Sequence, residues 1–299
     1  MSKVKRFYWQ IRATKGKNLI AILKAFFLEV YVKNFYRAVK RQVIHVSEQR
    51  FLVSLTSYPP RFDKLYLTLL CLLNQSVTPY KIVLWVTEED YNILPAQVLK
   101  LQSSQLIDIN FSEDFGPGKK ILPALKMFPE CFIVTCDDDC FYYKRWLEDL
   151  IHTYNSNHGQ PCIVAHRIHE VVRDEFGNIA PYMKWNFDVE KQSDSRVSFF
   201  TGGAGVLFPP DSLDERVLDT HNYRLCCLKQ DDIWLNWMAK LAGTKVVKVS
   251  STRGFVSWNG SDDNGLFIDN AELSGNDLAI NKVVSKYGDV YNEGRICLG

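Results

Sequence analysis

Cys131-Phe-Ile-Val-Thr-Cys-Asp-Asp-Asp139 is an apolar run that ends in three consecutive carboxylates. A short apolar run closed by polar residues predicts a buried strand. Similar runs upstream alternate with helical patterns, and a further helical pattern follows the carboxylates. The predicted strands are 51–55, 81–86 and 106–111, and the predicted helices are 63–75, 95–102, 119–127 and 144–154. This alternation predicts an α/β fold with a mainly parallel sheet flanked by helices, whose ligands bind beyond the carboxyl ends of the strands.

The second half of the chain is less regular. Its predicted strands are 162–166, 205–208 and 245–249, and its predicted helices are 231–241 and 277–286. We find no internal repeat and no linker long enough to divide the chain. Residues 50–299 are therefore predicted to form one domain, preceded by a basic, aromatic-rich helical segment over residues 1–45.

Charge is distributed unevenly along the 299 residues. With 46% hydrophobic and 23% charged residues and a net charge of +2, the whole chain is typical of a globular protein and gives no case for nucleic-acid binding. Residues 1–41, however, hold eleven Lys and Arg against one acid, so this segment carries +10 and the remainder −8. Its apolar runs are too short to cross a bilayer, which takes about 20 residues. A helix lying on a membrane surface and a basic helix packed on the body both fit this pattern.

The eight cysteines form no Cys-x-x-Cys pair, and most lie inside apolar runs. This is the pattern of reduced, buried thiols, and it predicts a cytosolic compartment. Cys136 and Cys140 flank the three aspartates without a second thiol pair or a spaced histidine, so we do not expect a zinc site there.

The aspartate triplet is the strongest candidate for chemistry. Along an extended backbone Asp137 and Asp139 project to one side, and their hard oxygen ligands suit Mg²⁺ or Mn²⁺ shared with a diphosphate. A solvated acidic turn or a helix N-cap is the alternative interpretation.

Three other segments add functional groups, each with a structural alternative. Asp114-Phe-Gly-Pro-Gly-Lys-Lys120 ends at a predicted helix start, where lysines and backbone N–H groups meet phosphate, although it matches neither a Walker loop nor a dinucleotide fingerprint. Thr201-Gly-Gly-Ala-Gly205 leaves backbone open to a sugar ring, or forms a bend at a sheet edge. Asp231 and Asp232 open an aromatic helix, either to complement its dipole or to supply a general base.

Taken in order, these motifs resemble glycosyltransferases of the GT-A fold, a Rossmann-like architecture. They are especially similar to family 2 members of bacterial surface polysaccharide (capsule or lipopolysaccharide) biosynthesis. The resemblance covers roughly residues 50–250. Its motifs are Val53–Arg61, Leu73–Trp85, Gly118–Leu125, Asp137–Asp139, Thr201–Gly205 and Asp231–Trp234.

The resemblance implies a role for each of these motifs. A nucleotide-sugar donor, expected to be a UDP-sugar, would lie against Ser54, Thr56, Ser57, Tyr58, Arg61, Lys119, Lys120, Asp137, Asp138, Gly202 and Gly203. Asp139 and Asp137 would ligate Mn²⁺ or Mg²⁺. Asp231 or Asp232 would deprotonate a hydroxyl of a glycan or lipid-linked acceptor, with inversion at the anomeric carbon.

If the acceptor is lipid-linked, the basic residues 1–41 would hold the body at a membrane surface, so the expected location is peripheral, on the cytoplasmic face of the inner membrane. Two other function classes stay open. A nucleotidyltransferase acting on sugar phosphates would use the same aspartates and lysines, and a non-enzymatic glycan- or lipid-binding protein would use none of this chemistry. A glycoside hydrolase also pairs carboxylates, but it has no need of Lys119 and Lys120.

Overall fold

The structure is a computed structural model that describes residues 17–39, 49–157, 161–250, 256–260 and 275–292. Within these ranges the strands are β1 Phe51–Thr56, β2 Lys81–Val86, β3 Asp108–Phe111, β4 Phe132–Thr135, β5 Cys162–Ala165, β6 Ile168–Glu170, β7 Ser198–Phe200, β8 Val206–Phe208 and β9 Lys245–Lys248. The helices are α1 Lys17–Phe35, α2 Phe62–Leu73, α3 Glu88–Tyr91, α4 Ala96–Ser103, α5 Leu122–Met127, α6 Trp146–Ser156, α7 Thr220–Cys227, α8 Asp231–Leu241 and α9 Gly275–Tyr287.

Seven strands form the central sheet in the order β3-β2-β1-β4-β8-β5-β9. All neighbours pair in parallel except β8, which runs antiparallel to both β4 and β5. The carboxyl ends of β1, β4 and β5 therefore meet the amino end of β8 at one edge of the sheet. Strands β6 and β7 form a separate antiparallel pair. The predicted mainly parallel α/β sheet is confirmed.

The sheet is covered on both faces because successive strand residues point to opposite sides. Leu52 and Ile133 face a core closed by α8 and α9, where Trp234 and Trp237 are fully buried. Val53 and Val134 face a second core built from α2, α4 and α6. A two-sided core of this kind explains why the strand sequences are nearly continuous apolar runs.

Most predicted elements are confirmed to within a few residues, and α8 has the predicted bounds 231–241. The predicted helix 119–127 is confirmed only from Leu122 to Met127, and its predicted start is wrong, because Gly116–Lys120 forms a 3-10 turn. Pro123 has no N–H to donate to the carbonyl of Lys119, as a helix over 119–127 would require, and Ile121 departs from helical φ/ψ. Sequence reasoning missed β6 and β7, which are too short to show a period of two, and the largely polar α7.

Only part of the predicted N-terminal segment lies within the described residues, namely α1 and the four residues that follow it. Residues 1–16 and 40–45 lie outside them, as does Cys297. The seven other cysteines are buried and unbonded to one another. Among the described residues, we find no helix with the length and apolar character that crossing a membrane requires.

Gly205, at the amino end of β8, is a position where a side chain would be costly. Its φ is 110°, and a Cβ there would lie 2.4 Å from Nε1 of Trp146, whose indole N–H is held by the carbonyl of Ala204 at 2.7 Å. We expect Gly205→Ala to lower the free energy of unfolding by about 2–4 kcal/mol, measured by urea denaturation. Gly177→Ala is the control, because Gly177 also has a positive φ of 81° but nothing lies within 4 Å. Equal losses in the two variants would contradict the steric argument.

Candidate active site

A cavity of about 840 Å³ opens at the edge where the strand ends meet. The end of β1 supplies Thr56, Ser57 and Tyr58 to its wall, and the end of β4 supplies the aspartate triplet. The 3-10 turn before α5 contributes Lys119 and Lys120, and the first turn of α8 contributes Asp231 and Asp232. Segments that are far apart in sequence meet here because parallel strands deliver their carboxyl ends to one edge.

Arg61 neutralises two members of the aspartate triplet. Its Nη1 donates to Oδ1 of Asp138 at 3.0 Å and lies 3.0 Å from Oδ2 of Asp139. Burial opposes the charge of Arg61, but Asp139 and Asp138 outweigh it and raise the Arg61 pKa. Asp138 also accepts a hydrogen bond from Ser57 Oγ. Burial raises the pKa of Asp138 to about 7 against the lowering effect of Arg61.

Lys120 connects the triplet to the first turn of α8. Its Nζ lies 2.8 Å from Oδ1 of Asp137 and 3.1 Å from Oδ2 of Asp231, and the residue is only 4% exposed. Burial opposes its charge, but Asp137, Asp231 and Asp232 outweigh burial and raise the Lys120 pKa. Burial would raise the pKa of Asp137 as well, but Lys120 lowers it below its ordinary value. Lys120 is therefore held as a cation between carboxylates from two elements.

The two acids of the first turn of α8 have different partners. Asp231 faces Lys120, whereas Oδ1 of Asp232 accepts the backbone N–H of Gly202 at 2.8 Å. Burial, followed by repulsion from Asp231, raises the pKa of Asp232 to about 7. A carboxyl group that titrates near neutral pH and faces a cavity has the properties of a general base.

The triplet has the right chemistry for Mg²⁺ or Mn²⁺, but its oxygens are already engaged. Asp139 contacts Arg61 through one oxygen and accepts from Cys140 Sγ through the other at 2.9 Å. Asp138 is bonded to Arg61, and Asp137 contacts Lys120. Over the described ranges, no cluster of three His, Cys, Asp or Glu side chains is arranged to hold a metal ion. In this arrangement, Arg61 and Lys120 pair with the carboxylates that the predicted metal would use, so an ion could bind them only if these cations moved away.

Most of the sequence-predicted site residues line the cavity. They are Thr56, Ser57, Tyr58, Arg61, Lys119, Lys120, Asp137, Asp138, Asp139, Gly203, Asp231 and Asp232. Two others lie behind its wall. Ser54 is fully buried, donates to the carbonyl of Lys120 at 2.5 Å and accepts from Trp85 Nε1 at 2.9 Å. Gly202 is buried and holds Asp232 through its backbone N–H. In this structure both positions support the groups that face the cavity.

Sequence reasoning missed an aromatic end of the cavity. The ring of Phe187 lies 4.7 Å from that of His169 and 5.3 Å from that of Tyr182, in edge-to-face contacts. His169 Nδ1 accepts the backbone N–H of Asp188 at 2.9 Å, and burial lowers the His169 pKa to about 4, so the ring is neutral at physiological pH. The sequence showed His169 only as part of a weak His-x-x-His pattern. Phe187 lies in the irregular region before β7, where no sequence pattern indicated a functional role.

Comparison with known proteins finds likeness only to solved structures. No family model matches the chain, and no curated protein matches it. TarS residues 1–349 from S. aureus is 17% identical over 80% of this chain and 73% of that chain, with a TM-score of 0.43. The mannosyltransferase PcManGT from Pyrobaculum calidifontis, in complex with GDP-Man and Mn²⁺, is 14% identical over 78% and 66%, with a TM-score of 0.41. CMP:2-keto-3-deoxy-manno-octonic acid synthetase complexed with CTP is 9% identical over 77% and 100%, with a TM-score of 0.40. At these scores, the likeness assigns no residue and no activity to this chain.

Proposed function

We propose that this chain is a glycosyltransferase that moves a sugar from a nucleoside-diphosphate sugar to a hydroxyl group of an acceptor. One observation carries the proposal. Buried Lys120, ion-paired with Asp137 and Asp231, lies beside Asp232, whose pKa is about 7, and all four residues line one cavity. A cation for a phosphate leaving group and a carboxylate for proton removal are the two groups that such a transfer needs.

The donor would lie at the end of the cavity that holds the cations. Arg61, Lys119 and Lys120 line this end and pair with aspartates there, and their N–H groups match diphosphate oxygens, which would share or replace those carboxylate contacts. The Arg61 guanidinium lies 5.7 Å from the centre of the Tyr58 ring, which offers an aromatic surface for a nucleotide base. The negative charge that grows on the departing diphosphate would be stabilised by these three side chains.

The reaction would be a single in-line displacement. Asp232 takes the proton of the acceptor hydroxyl as its oxygen attacks the anomeric carbon, and the bond from that carbon to the diphosphate oxygen breaks. The electron pair leaves with the nucleoside diphosphate, and the anomeric centre inverts. The acceptor would enter from the aromatic end, because the apolar C–H face of a pyranose packs on rings such as Phe187 and Tyr182.

The identity of the donor and acceptor and the place of action are proposed from the sequence. We propose a UDP-sugar donor, a glycan or lipid-linked acceptor of bacterial surface polysaccharide, and action at the cytoplasmic face of the inner membrane. Dependence on Mn²⁺ or Mg²⁺ is also proposed, and it requires a side chain to move. An ion bound between Asp137 and Asp139 would have to displace Arg61 from Asp139.

Donor binding is tested by thermal denaturation with a panel of UDP-, GDP- and ADP-sugars. We expect one of them, at about 100 times its Kd, to stabilise the fold by about 2.7 kcal/mol and to raise the Tm by several degrees. The matching nucleoside monophosphate is the control, since it lacks the diphosphate that the three cations would bind. Parallel samples with Mn²⁺ and with EDTA test the metal requirement separately.

Two results would overturn the proposed function. Stabilisation by nucleoside triphosphates alone, with release of pyrophosphate on addition of a sugar phosphate, would identify a nucleotidyltransferase. Stabilisation by free glycans alone, without turnover of any sugar nucleotide, would identify a binding protein.

A further inference from the structure

Helix α1 is attached to the body by one narrow face. Ala25, Glu29 and Val32 are buried, and Ile22 and Tyr36 are partly buried. These five positions recur at intervals of three and four residues, which places them on one side of the helix. Val32 packs into the core that covers the α2 side of the sheet. This face of α1 is therefore packed against the body.

The opposite face of α1 is also apolar, and it is exposed. At about 100° per residue, its members lie on the side away from the buried stripe. They include Ile20, Phe27 and Phe35, which are 71%, 65% and 69% exposed. We define the outer face as Ile20, Leu23, Phe26, Phe27, Val30, Tyr31 and Phe35. A cluster of seven large apolar side chains on one helix face far exceeds the isolated exposed residues that need no explanation.

Charge around the outer face is of one sign. Glu29 is the only acid among residues 1–41, and it is buried, with Oε1 2.6 Å from Lys64 Nζ. Lys24, Lys33 and Arg37 are exposed along or just beyond the helix. By the same count Lys24 lies within the outer face and Lys33 borders it. An apolar face with exposed cations and no exposed acid matches an anionic phospholipid surface, where rings enter the acyl region and lysines meet phosphates.

We infer that the outer face of α1 docks the protein onto an anionic phospholipid membrane, while the buried face fixes the orientation of the body. Glu29 connects the two, because its Oε1 also accepts the backbone N–H of Asn259 at 3.1 Å. The preceding residue, Trp258, donates its backbone N–H to the carbonyl of Asp139 at 2.8 Å. The membrane-facing helix is thus attached to the segment that holds the aspartate triplet. In combination with the proposed function, this attachment would place the cavity beside the membrane that carries a lipid-linked acceptor.

Co-sedimentation of the full chain with vesicles tests the docking. We expect binding to phosphatidylcholine vesicles containing about 30% phosphatidylglycerol, and much weaker binding to phosphatidylcholine alone. The double variant Phe27→Ser/Phe35→Ser should partition at least about tenfold more weakly, because two exposed rings no longer enter the bilayer. Phe176→Ser is the matched control, since Phe176 is 79% exposed on the body, and this variant should bind as the unmodified chain does.

Two outcomes would overturn the docking inference. The double variant and the control could bind equally well. Alternatively, the unmodified chain could fail to bind vesicles yet self-associate in a way that the double variant abolishes, which would make the outer face an interface with a second copy. Donor-induced thermal shifts in the double variant keep the two proposals apart. If the double variant loses vesicle binding but keeps its donor-induced shift in Tm, the outer face acts in docking and not in donor binding. If the unmodified chain binds vesicles but no donor shifts its Tm, only the proposed function is rejected.

Discussion

Lys120→Met is expected to lower the free energy of unfolding by about 3–5 kcal/mol at neutral pH, as removal of one partner from a buried ion pair does. Met has a similar length but no charge, so Asp137 and Asp231 lose their cation while Asp232 stays close by. Urea denaturation measures the loss. We also expect donor-induced stabilisation to disappear in this variant, because the proposed diphosphate contact is gone.

The pH dependence of this loss follows from the Asp137 pKa. Lys120 holds that pKa below its ordinary value of 3.8, so the ion pair contributes its full stability above that value and loses it as pH falls through the folded pKa. The difference between Lys120→Met and the unmodified chain should therefore be largest at neutral pH and shrink below about pH 4.

Lys119→Met provides a matched control at the adjacent residue. Lys119 contacts Asp114, which is largely exposed, at 3.1 Å. An ion pair with an exposed partner contributes less than about 1 kcal/mol, so this variant should be nearly as stable as the unmodified chain. If Lys120→Met matched Lys119→Met at neutral pH, the bridging role of Lys120 would be rejected.

Asp232→Asn should decrease sugar transfer by about 10²- to 10⁴-fold, the usual contribution of a general base. The amide can still accept the Gly202 N–H but cannot take a proton from the acceptor. In the unmodified enzyme, the transfer rate should rise with pH through about 7 as Asp232 ionises. The measurement is a pH profile of transfer with the donor identified by thermal shift.

The same substitution should stabilise the fold at alkaline pH. The folded pKa of Asp232 is raised above the unfolded value of 3.8, so stability is complete below that value and is lost as pH rises through about 7. Asn has no charge at any pH, so the variant does not lose this stability as pH rises. The Tm of Asp232→Asn should exceed that of the unmodified chain at about pH 8, and the two should converge near about pH 4.

Asp231→Asn separates the two acids. This variant removes the charge that pairs with Lys120 and should therefore lower the Tm. Its residual transfer rate should still increase with pH through about 7, because Asp232 still ionises there. If Asp232→Asn kept full activity and Asp231→Asn lost the increase in transfer rate with pH, Asp231 would be the base instead.

The local sequence was sufficient for most of the architecture. Apolar runs of four to six residues predicted β1, β2 and β4, and a helical period predicted α8, because strands and helices buried against a core must repeat with the geometry of the backbone. The carboxyl ends of parallel strands converge, so the polar residues that follow them were expected at one edge. Thr56 and Asp137 line the cavity found there for this reason. Lys120 and Asp232 line it too, although neither directly follows a strand.

Local sequence was insufficient where backbone chemistry or distant packing controls the result. The first two residues of the helix predicted from Lys119 belong to a 3-10 turn instead, because Pro123 cannot donate a hydrogen bond to the carbonyl of Lys119. The aromatic end of the cavity forms where Phe187 packs against Tyr182 and His169. These residues are joined by irregular segments, in which no periodic sequence pattern predicts the contact.

The sequence by itself determined the α/β class, the order of the charged motifs and the excess of cations at the amino terminus, because these depend on residue type and local spacing. Only the tertiary structure decided which charges pair. Adjacent side chains on a helix point about 100° apart, so Asp231 meets Lys120 while Asp232 meets Gly202, and their roles diverge. Likewise, the sequence left α1 either packed on the body or open to a membrane. The fold buries one apolar face and leaves the other exposed, because a helix surface is wide enough to carry both.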